Sequence, residues 1–450
     1  MAANPEPGTP FAMTATPYRE VHEDILQAVR FPSRRYLGLL ALLAGGMGWA
    51  ALCFGYQVMT GMGVTGLNLP VGWGTYITSF VFWVGIGHAG TLISAILYLL
   101  RVEWRTAVAR AAETMTVFAV MTAGMFPLIH LGRVWVMYFI MPYPNTAHLW
   151  PNFRSPLVFD VVAITTYLTI SALFWYLGLI PDLAAVRDRA TGRRRWIYGL
   201  LSVGWQGEND QWRHYLRAYA CFAALATPLV ISVHSVVSWD FAVGIVPGWH
   251  ETLFPPYFVA GAIHSGLAMV LTLLIPLRGV LKLKRVILPR HLEEVAKLIV
   301  LTGFIMLYAY VVEPFMVWYG GNEIERQSMV LRATGPYAPY YWVMVFCNAV
   351  LPFALFWKQV RSNLTALFAI GLLINVGMWF ERYVIIVGSL SNDFMPSAWF
   401  TYAPSWVELS IAIGAGCFFL FMLLVTLRVV PAVSVAESKP EPHRAEEAAS

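Results

Sequence analysis

Ten long runs of apolar residues constrain this chain more than any other feature of its sequence. A helix needs about 20 apolar residues to cross a bilayer. Runs of at least that length occur at about 36–58, 74–100, 107–140, 156–180, 214–240, 253–280, 291–319, 339–359, 363–389 and 405–429. Only 12% of the residues are charged, against roughly 25% in soluble domains. The sequence therefore predicts an all-α integral membrane protein with ten transmembrane helices.

The basic residues predict the orientation of these helices. If the N-terminus is cytoplasmic, the inner segments between these runs hold 19 Lys and Arg residues and the outer loops hold three, which are Arg154, Arg326 and Arg332. Short cytoplasmic loops carry an excess of Lys and Arg. We therefore expect a multi-pass membrane protein with both termini in the cytoplasm. Because the positive charges lie in short loops, the net charge of +5 does not indicate a nucleic-acid partner.

Two short motifs recur along the chain. HAG at 88–90 in helix 2 matches HSG at 264–266 in helix 6, and ALFW occurs at 172–175 in helix 4 and at 354–357 in helix 8. These matches predict two parallel-repeat four-helix bundles, helices 2–5 at about 74–240 and helices 6–9 at about 253–389, with helices 1 and 10 peripheral. The membrane domain then covers 36–430, after a cytoplasmic segment 1–35 and before a disordered cytoplasmic tail 431–450.

The chain has no sequence pattern for a bound metal, cluster or haem. Its four cysteines lie in apolar segments without a CxxC pair, which iron–sulfur clusters or covalent haem would require. No helix carries the two buried histidines that a pair of haems in a helix bundle would need. We therefore expect no haem, iron–sulfur cluster or metal in this chain.

Ionisable residues near the outer membrane surface are the first candidates for a functional site, because charge inside a bilayer is costly. Helix 3 ends with FPLIHLGRVW, where His130 and Arg133 are three residues apart and are predicted to share a helix face. Helix 4 begins with SPLVFD and places Asp160 about one turn below the surface. These three side chains are predicted to meet, either to bind and deprotonate a polar head group or as a structural ion pair.

Helix 5 ends with SVHSVVSWDFA and adds two further candidates. Asp240 lies at the outer rim and either joins the same pocket or is a solvated carboxylate. His234 is six residues earlier and does not share its face. We consider Asp240 as catalytic and His234 as substrate-binding.

Other ionisable residues within the helices are candidates for a proton path. They are His88, Glu113, Glu313, Glu381 and Arg382. Glu381 and Arg382 are adjacent and point about 100° apart on a helix, so each is expected to need its own partner. For His88 the alternative is a hydrogen-bonded core histidine.

Several stretches together resemble a known family. WVGIGHAGTLIS (83–94), MFPLIHLGR (125–133), SPLVFDV (155–161), ATPLVISVHSVVSWDFA (226–242), PGWHETLFPPYFVAGAI (247–263) and GMWFERYVIIV (377–387) are similar to the NrfD/PsrC-like family of quinone-reactive membrane subunits, which includes that of polysulfide reductase. Within this family the chain resembles in particular the larger, ActC-type subunit of bacterial alternative complex III.

The resemblance implies a ten-helix subunit that binds quinol, menaquinol by preference, near the outer face and has no redox cofactor of its own. Electrons would pass to an iron–sulfur subunit on the outer face and then to a multihaem c-type cytochrome, beside a second NrfD-like membrane subunit. The family's quinol-pocket residues would fall on His130, Asp160 and, less directly, Asp240, with a coupled proton path through the bundles. The aromatic loop 141–155 would suit docking.

Two other functional classes stay open at this stage. A secondary transporter would also show a repeat and buried charge, although its site is expected at the membrane midplane. A purely structural anchor of a reductase complex would tolerate replacement of His130 and Asp160.

Overall fold

The computed structural model describes residues 32–140 and 155–437, together with residues 22, 23, 25, 26 and 29. Within this part of the chain, ten helices are long and apolar enough to cross a membrane, which confirms the predicted fold class. They are α1 (Arg34–Thr60), α2 (Thr75–Leu99), α3 (Arg105–His130), α4 (Pro156–Arg189), α5 (Asn209–Ala242), α6 (Phe254–Val280), α7 (Pro289–Gly320), α8 (Ala338–Phe356), α9 (Leu364–Ser391) and α10 (Trp406–Val429). Almost all of the proposed docking loop 141–155 lies outside the described residues.

Three helices have a start or an end that differs from the one the hydropathy pattern predicts. α3 ends at His130 rather than at residue 140, because Gly132 has a φ of +67° and turns the chain out of the helix. α4 continues nine residues beyond 180, to Arg189, and α5 already begins at Asn209. The end of α4 and the start of α5 therefore extend beyond the hydrocarbon thickness.

The helices pack as two groups of four with the same order of neighbours. α2 contacts α3 and α5, and α4 contacts α3 and α5; α6 contacts α7 and α9, and α8 contacts α7 and α9. α1 and α10 pack against each other on the outside of the first group. This is the predicted arrangement of two four-helix bundles with two peripheral helices.

The two bundles meet where α2 packs on α6. A Cβ atom at Gly266 would lie only 1.8 Å from the Cβ of Ala89, so the two helix backbones approach as closely as glycine permits. Ala89 and Gly266 belong to the HAG and HSG motifs. The motifs that indicate the repeat thus form the central contact between the bundles.

The tail expected to be disordered from residue 431 is ordered over its first seven residues, so the prediction is wrong for 431–437. Val433 and Val435 are buried, and Asp182 Oδ1 accepts backbone hydrogen bonds from Val435 (2.9 Å) and Ala436 (3.1 Å). Apolar burial and a carboxylate that needs donors hold this segment against α4. Residues 438–450 lie outside the described part of the chain.

Candidate functional site

The structure brings Asp160 and Asp240 together, near the start of α4 and near the end of α5. Asp160 is 5% exposed, and the two side chains are hydrogen-bonded to each other. A hydrogen bond between two carboxyl groups requires a proton between them. The remaining Oδ1 atoms of both residues are buried without a hydrogen-bond partner in the described part of the chain. The pair can therefore accept further hydrogen bonds from a polar ligand.

His130 and Arg133 separate from each other at the end of α3. His130 is the last residue of the helix, half-buried, with a buried Nδ1 that has no hydrogen-bond partner among the described residues. Arg133 follows Gly132 and is exposed outside the helix. The prediction that the two residues share a helix face is wrong, because the helix ends before Arg133. No contact within the described residues joins His130 to the carboxyl pair, so that meeting stays a prediction.

His234 lies away from the carboxyl pair and faces His88 instead. Their Nδ1 atoms are 2.8 Å apart, and both rings are fully buried between α2 and α5. Tyr167 packs edge-on against His88 and donates to the carbonyl of Gly87 at 2.9 Å. Both Nε2 atoms are buried and lack a partner in the described structure. His234 therefore belongs to a histidine pair inside the bundle, about 9 Å along α5 from Asp240.

Glu381 and Arg382 form an ion pair with each other. Arg382 Nη1 lies 2.8 Å from Glu381 Oε1, which corrects the expectation that each needs a separate partner. Glu381 also accepts a hydrogen bond from Tyr310, whose hydroxyl accepts one from Asn348 at 2.9 Å. Long side chains bend along the helix, so a 100° separation of Cβ directions does not keep two adjacent charges apart.

Glu313 is part of a second polar cluster, near the end of α7 in the second bundle. Arg332 Nη1 lies 2.5 Å from Glu313 Oε1, and Arg332 also donates to the carbonyl of Gly248 and to Ser389, both at 2.9 Å. Glu251 lies in the loop beside them. Burial and the neighbouring Glu313 raise the pKa of Glu251 to about 8, although Arg332 acts in the opposite direction. Glu251 is therefore largely protonated at neutral pH.

Glu113 belongs to a buried network in the first bundle, near the starts of α3 and α5 and the end of α4. Arg110 joins it to Asp182, with distances of 3.1 Å to Glu113 and 3.0 Å to Asp182. Ser94 and Tyr219 donate to Glu113 Oε1 at 2.5 and 2.7 Å. A charged network this deeply buried is costly unless every group has a partner.

The sequence pattern does not reveal three further functional candidates, which are Arg110, Asp182 and Tyr219. With α4 predicted to end at 180, Asp182 falls in a loop, and Arg110 contributes only to the charge bias. The signal available in the sequence is the three-residue spacing of Arg110 and Glu113, which places both on one helix face. Asp182 is recognised as a helix residue only when α4 is extended, whereas Tyr219 lies within the predicted helix and is revealed only by the packing of α5 against α3.

The described residues contain no group of three or more His, Cys, Asp and Glu side chains arranged to hold a metal ion. The histidine pair offers only two ring nitrogens. At 2.8 Å their Nδ1 atoms are closer to each other than two nitrogen ligands of one zinc ion usually are, given Zn–N bonds of about 2.0–2.1 Å in a tetrahedral site.

Comparison with known proteins adds relatives to this description. The chain is 21% identical to a subunit of the selenate reductase of Mesobacillus selenatarsenatis, over 86% of this chain and 92% of the relative. It is 23% identical to the menaquinone reductase integral membrane subunit of Nitratidesulfovibrio vulgaris, over 85% and 88%. It is 31% identical to a putative dimethyl sulfoxide reductase membrane subunit of Halobacterium salinarum, over 53% of this chain and only half of that relative's length.

The family described as polysulphide reductase, NrfD, matches residues 63–392. This range runs from the loop after α1 through the end of α9 and includes both four-helix bundles. It covers well over half of the chain. The chain therefore belongs to the NrfD polysulphide reductase family of membrane proteins.

Proposed function

We propose that this chain is the quinol-oxidising membrane subunit of a multi-subunit oxidoreductase, with menaquinol as the expected substrate. The observation that carries the proposal is the buried carboxyl pair of Asp160 and Asp240 near the outer ends of α4 and α5. The names of these relatives support a subunit of a reductase complex that interacts with quinone, since each is a subunit of a reductase and one is a menaquinone reductase.

The carboxyl pair suits the proton chemistry of quinol oxidation. Oxidation of a quinol releases two electrons and two protons. The pair retains carboxylate oxygens without partners in the described structure, and His130 presents a ring nitrogen without one. Each of these can accept a hydrogen bond from a quinol hydroxyl and then take its proton. Because the groups lie near the outer ends of their helices, the protons would leave on the outer side. Arg133 stays a candidate for a head-group contact.

The electrons require another subunit in this proposal. We place an iron–sulfur subunit on the outer face, a multihaem c-type cytochrome beyond it, and a second NrfD-like membrane subunit beside this chain, as in alternative complex III. The complex would then act as a quinol:cytochrome c-type oxidoreductase. We place the complex in the bacterial inner membrane with both termini of this chain in the cytoplasm, and the distribution of Lys and Arg supports that orientation.

A proton route through the first bundle forms the second part of the proposal. Polar groups lie at three levels along α2 and α5: the carboxyl pair, the histidine pair, and the network around Glu113. His234 is six residues from Asp240 and His88 is six from Ser94, so successive levels are about 9 Å apart. Water molecules would have to bridge such gaps. Glu313, Glu381 and Arg382 would serve the second bundle.

The test is quinol:acceptor turnover of the intact complex with single substitutions. We expect Asp160→Asn, Asp240→Asn and His130→Ala each to lower kcat about 100-fold or more, as for loss of a general base. Glu323→Gln serves as the matched control, since the Glu323 side chain is 86% exposed on the same side. Near-normal turnover and KM in the three variants would favour the structural anchor. Quinol-independent solute flux would favour the transporter.

A further inference from the structure

A short basic helix after α4 folds back along that helix. Residues Gly192–Leu201 form it, with the sequence GRRRWIYGLL. Tyr176 on α4 donates to the carbonyl of Leu201 at 2.8 Å, and Tyr198 donates to the carbonyl of Val429 at the end of α10 at 2.6 Å. The helix is therefore fixed at the side of the membrane where α10 ends.

The two ends of this helix differ in chemistry. Trp196, Ile197 and Leu200 are 72%, 48% and 67% exposed, and an apolar surface of this kind suits contact with lipid acyl chains rather than with water. Arg194 is seven residues from Leu201 and thus about 10 Å farther from the membrane centre. A head-group layer is about 5–8 Å thick on each side of the hydrocarbon core. The basic end thus lies at the level of lipid phosphates when the apolar end reaches the hydrocarbon.

A cavity of about 210 Å³ opens at this basic end. Arg189 from the end of α4 and Arg194 from the short helix line it, and Leu26, Val29, Val186 and Ala190 form apolar walls. Glu23 lies at the same cavity. Arg194 is held in place because it donates to the carbonyl of Val29 at 2.9 Å.

We propose that this cavity binds the phosphate head group of an anionic phospholipid from the leaflet at which the ends of α4 and α10 lie. Two guanidinium groups recognise a phosphodiester, and they hydrogen-bond it in a fixed geometry. The apolar walls accept the glycerol backbone and the first methylenes of an acyl chain. Basic pockets at the cytoplasmic ends of membrane helices bind such head groups. The site is separate from the quinol site and does not depend on it.

The proposal is tested by lipid binding to the purified complex in mixed micelles. The probes are dioleoyl phosphatidylglycerol and dioleoyl phosphatidylcholine, and native mass spectrometry counts the bound molecules. We expect the wild type to retain phosphatidylglycerol in preference to phosphatidylcholine. The double variant Arg189→Gln/Arg194→Gln is expected to bind phosphatidylglycerol at least about tenfold more weakly, since each surface Arg contributes to attraction of anionic lipid.

Three further variants make the result specific. Arg213→Gln is the matched control, because Arg213 is an exposed arginine at the inner end of α5, with a side chain that is 67% exposed and paired with Asp210. Arg189→Lys/Arg194→Lys keeps the charge but loses the planar guanidinium geometry, so its binding should fall between that of the wild type and that of the double Gln variant. Glu23→Gln removes the acidic group and should strengthen binding severalfold.

Four results would overturn the proposal. The first three are full retention of phosphatidylglycerol by the double Gln variant, an equal loss of binding in Arg213→Gln, and equal binding of phosphatidylcholine by the wild type. The fourth is displacement of the lipid by about 10 mM inorganic phosphate, a concentration on the order of the weak affinity of an exposed anion site. That displacement would indicate an ion site. A protein partner found covering the cavity in the intact complex would overturn it as well.

Discussion

Replacing Arg110 by Met should destabilise the protein more than any other single change in the buried network of Arg110, Glu113 and Asp182. Arg110 is shared by Glu113 and Asp182, all three are at most 4% exposed in their side chains, and its loss leaves two buried carboxylates without their cation. Removing one partner of a buried ion pair costs about 3–5 kcal/mol. With an unfolding entropy of about 2.1 cal/mol/K per residue, 1 kcal/mol corresponds to roughly 1 °C for a chain of this length.

The assay is thermal unfolding of the detergent-solubilised protein, followed by fluorescence-detected gel filtration. We expect Arg110→Met to lower the Tm by roughly 3–5 °C and the exposed control Arg213→Met to change it by less than about 1 °C. Adding Glu113→Gln and Asp182→Asn to Arg110→Met should restore much of the loss, because no uncompensated charge then remains. Equal Tm values for Arg110→Met and Arg213→Met would refute the reasoning.

Three other perturbations have outcomes that follow from the structure. The pKa of Glu251 is raised to about 8 from its ordinary 4.5, so the folded protein holds a proton that the unfolded chain releases. The free energy of unfolding therefore falls as the pH rises from 4.5 to 8. Glu251→Gln should flatten this dependence of the Tm on pH in thermal scans. Deleting 431–450 should lower the Tm, whereas deleting only 438–450 keeps the contacts of 431–437 and should not. Gly266→Ala should cost about 1–3 kcal/mol or more by overpacking, whereas Gly279→Ala, with nothing within 4 Å of the added Cβ, should be tolerated.

Hydropathy predicts the membrane helices of this protein but not where they end in water. α4 passes its apolar run by nine residues because Leu183 and Val186 pack against the N-terminal segment and the short basic helix. A window of average hydropathy cannot include that burial, since the partners come from distant parts of the chain. α3 ends ten residues earlier than its apolar run because of one glycine with positive φ.

The candidate site is only partly accessible from the sequence for the same reason. The positions of Asp160 and Asp240 along the chain leave open whether Asp240 joins the same pocket or is a solvated carboxylate, and the structure brings the two residues together. His234 lies about one and a half turns deeper, and its pairing with His88 depends on how α2 packs against α5. Helix periodicity, which predicts a shared face for His130 and Arg133, does not apply beyond the turn that follows α3.

The central claim is that quinol binds beside Asp160 and Asp240, and photolabelling tests it most directly. An azido-substituted quinone is irradiated with the intact complex, and the labelled peptides are identified by mass spectrometry. We predict label on the outer ends of α3, α4 and α5, around His130, Asp160 and Asp240, and loss of that label with excess unlabelled quinol. Label confined to other helices, or label at these residues that excess quinol does not remove, would contradict the account.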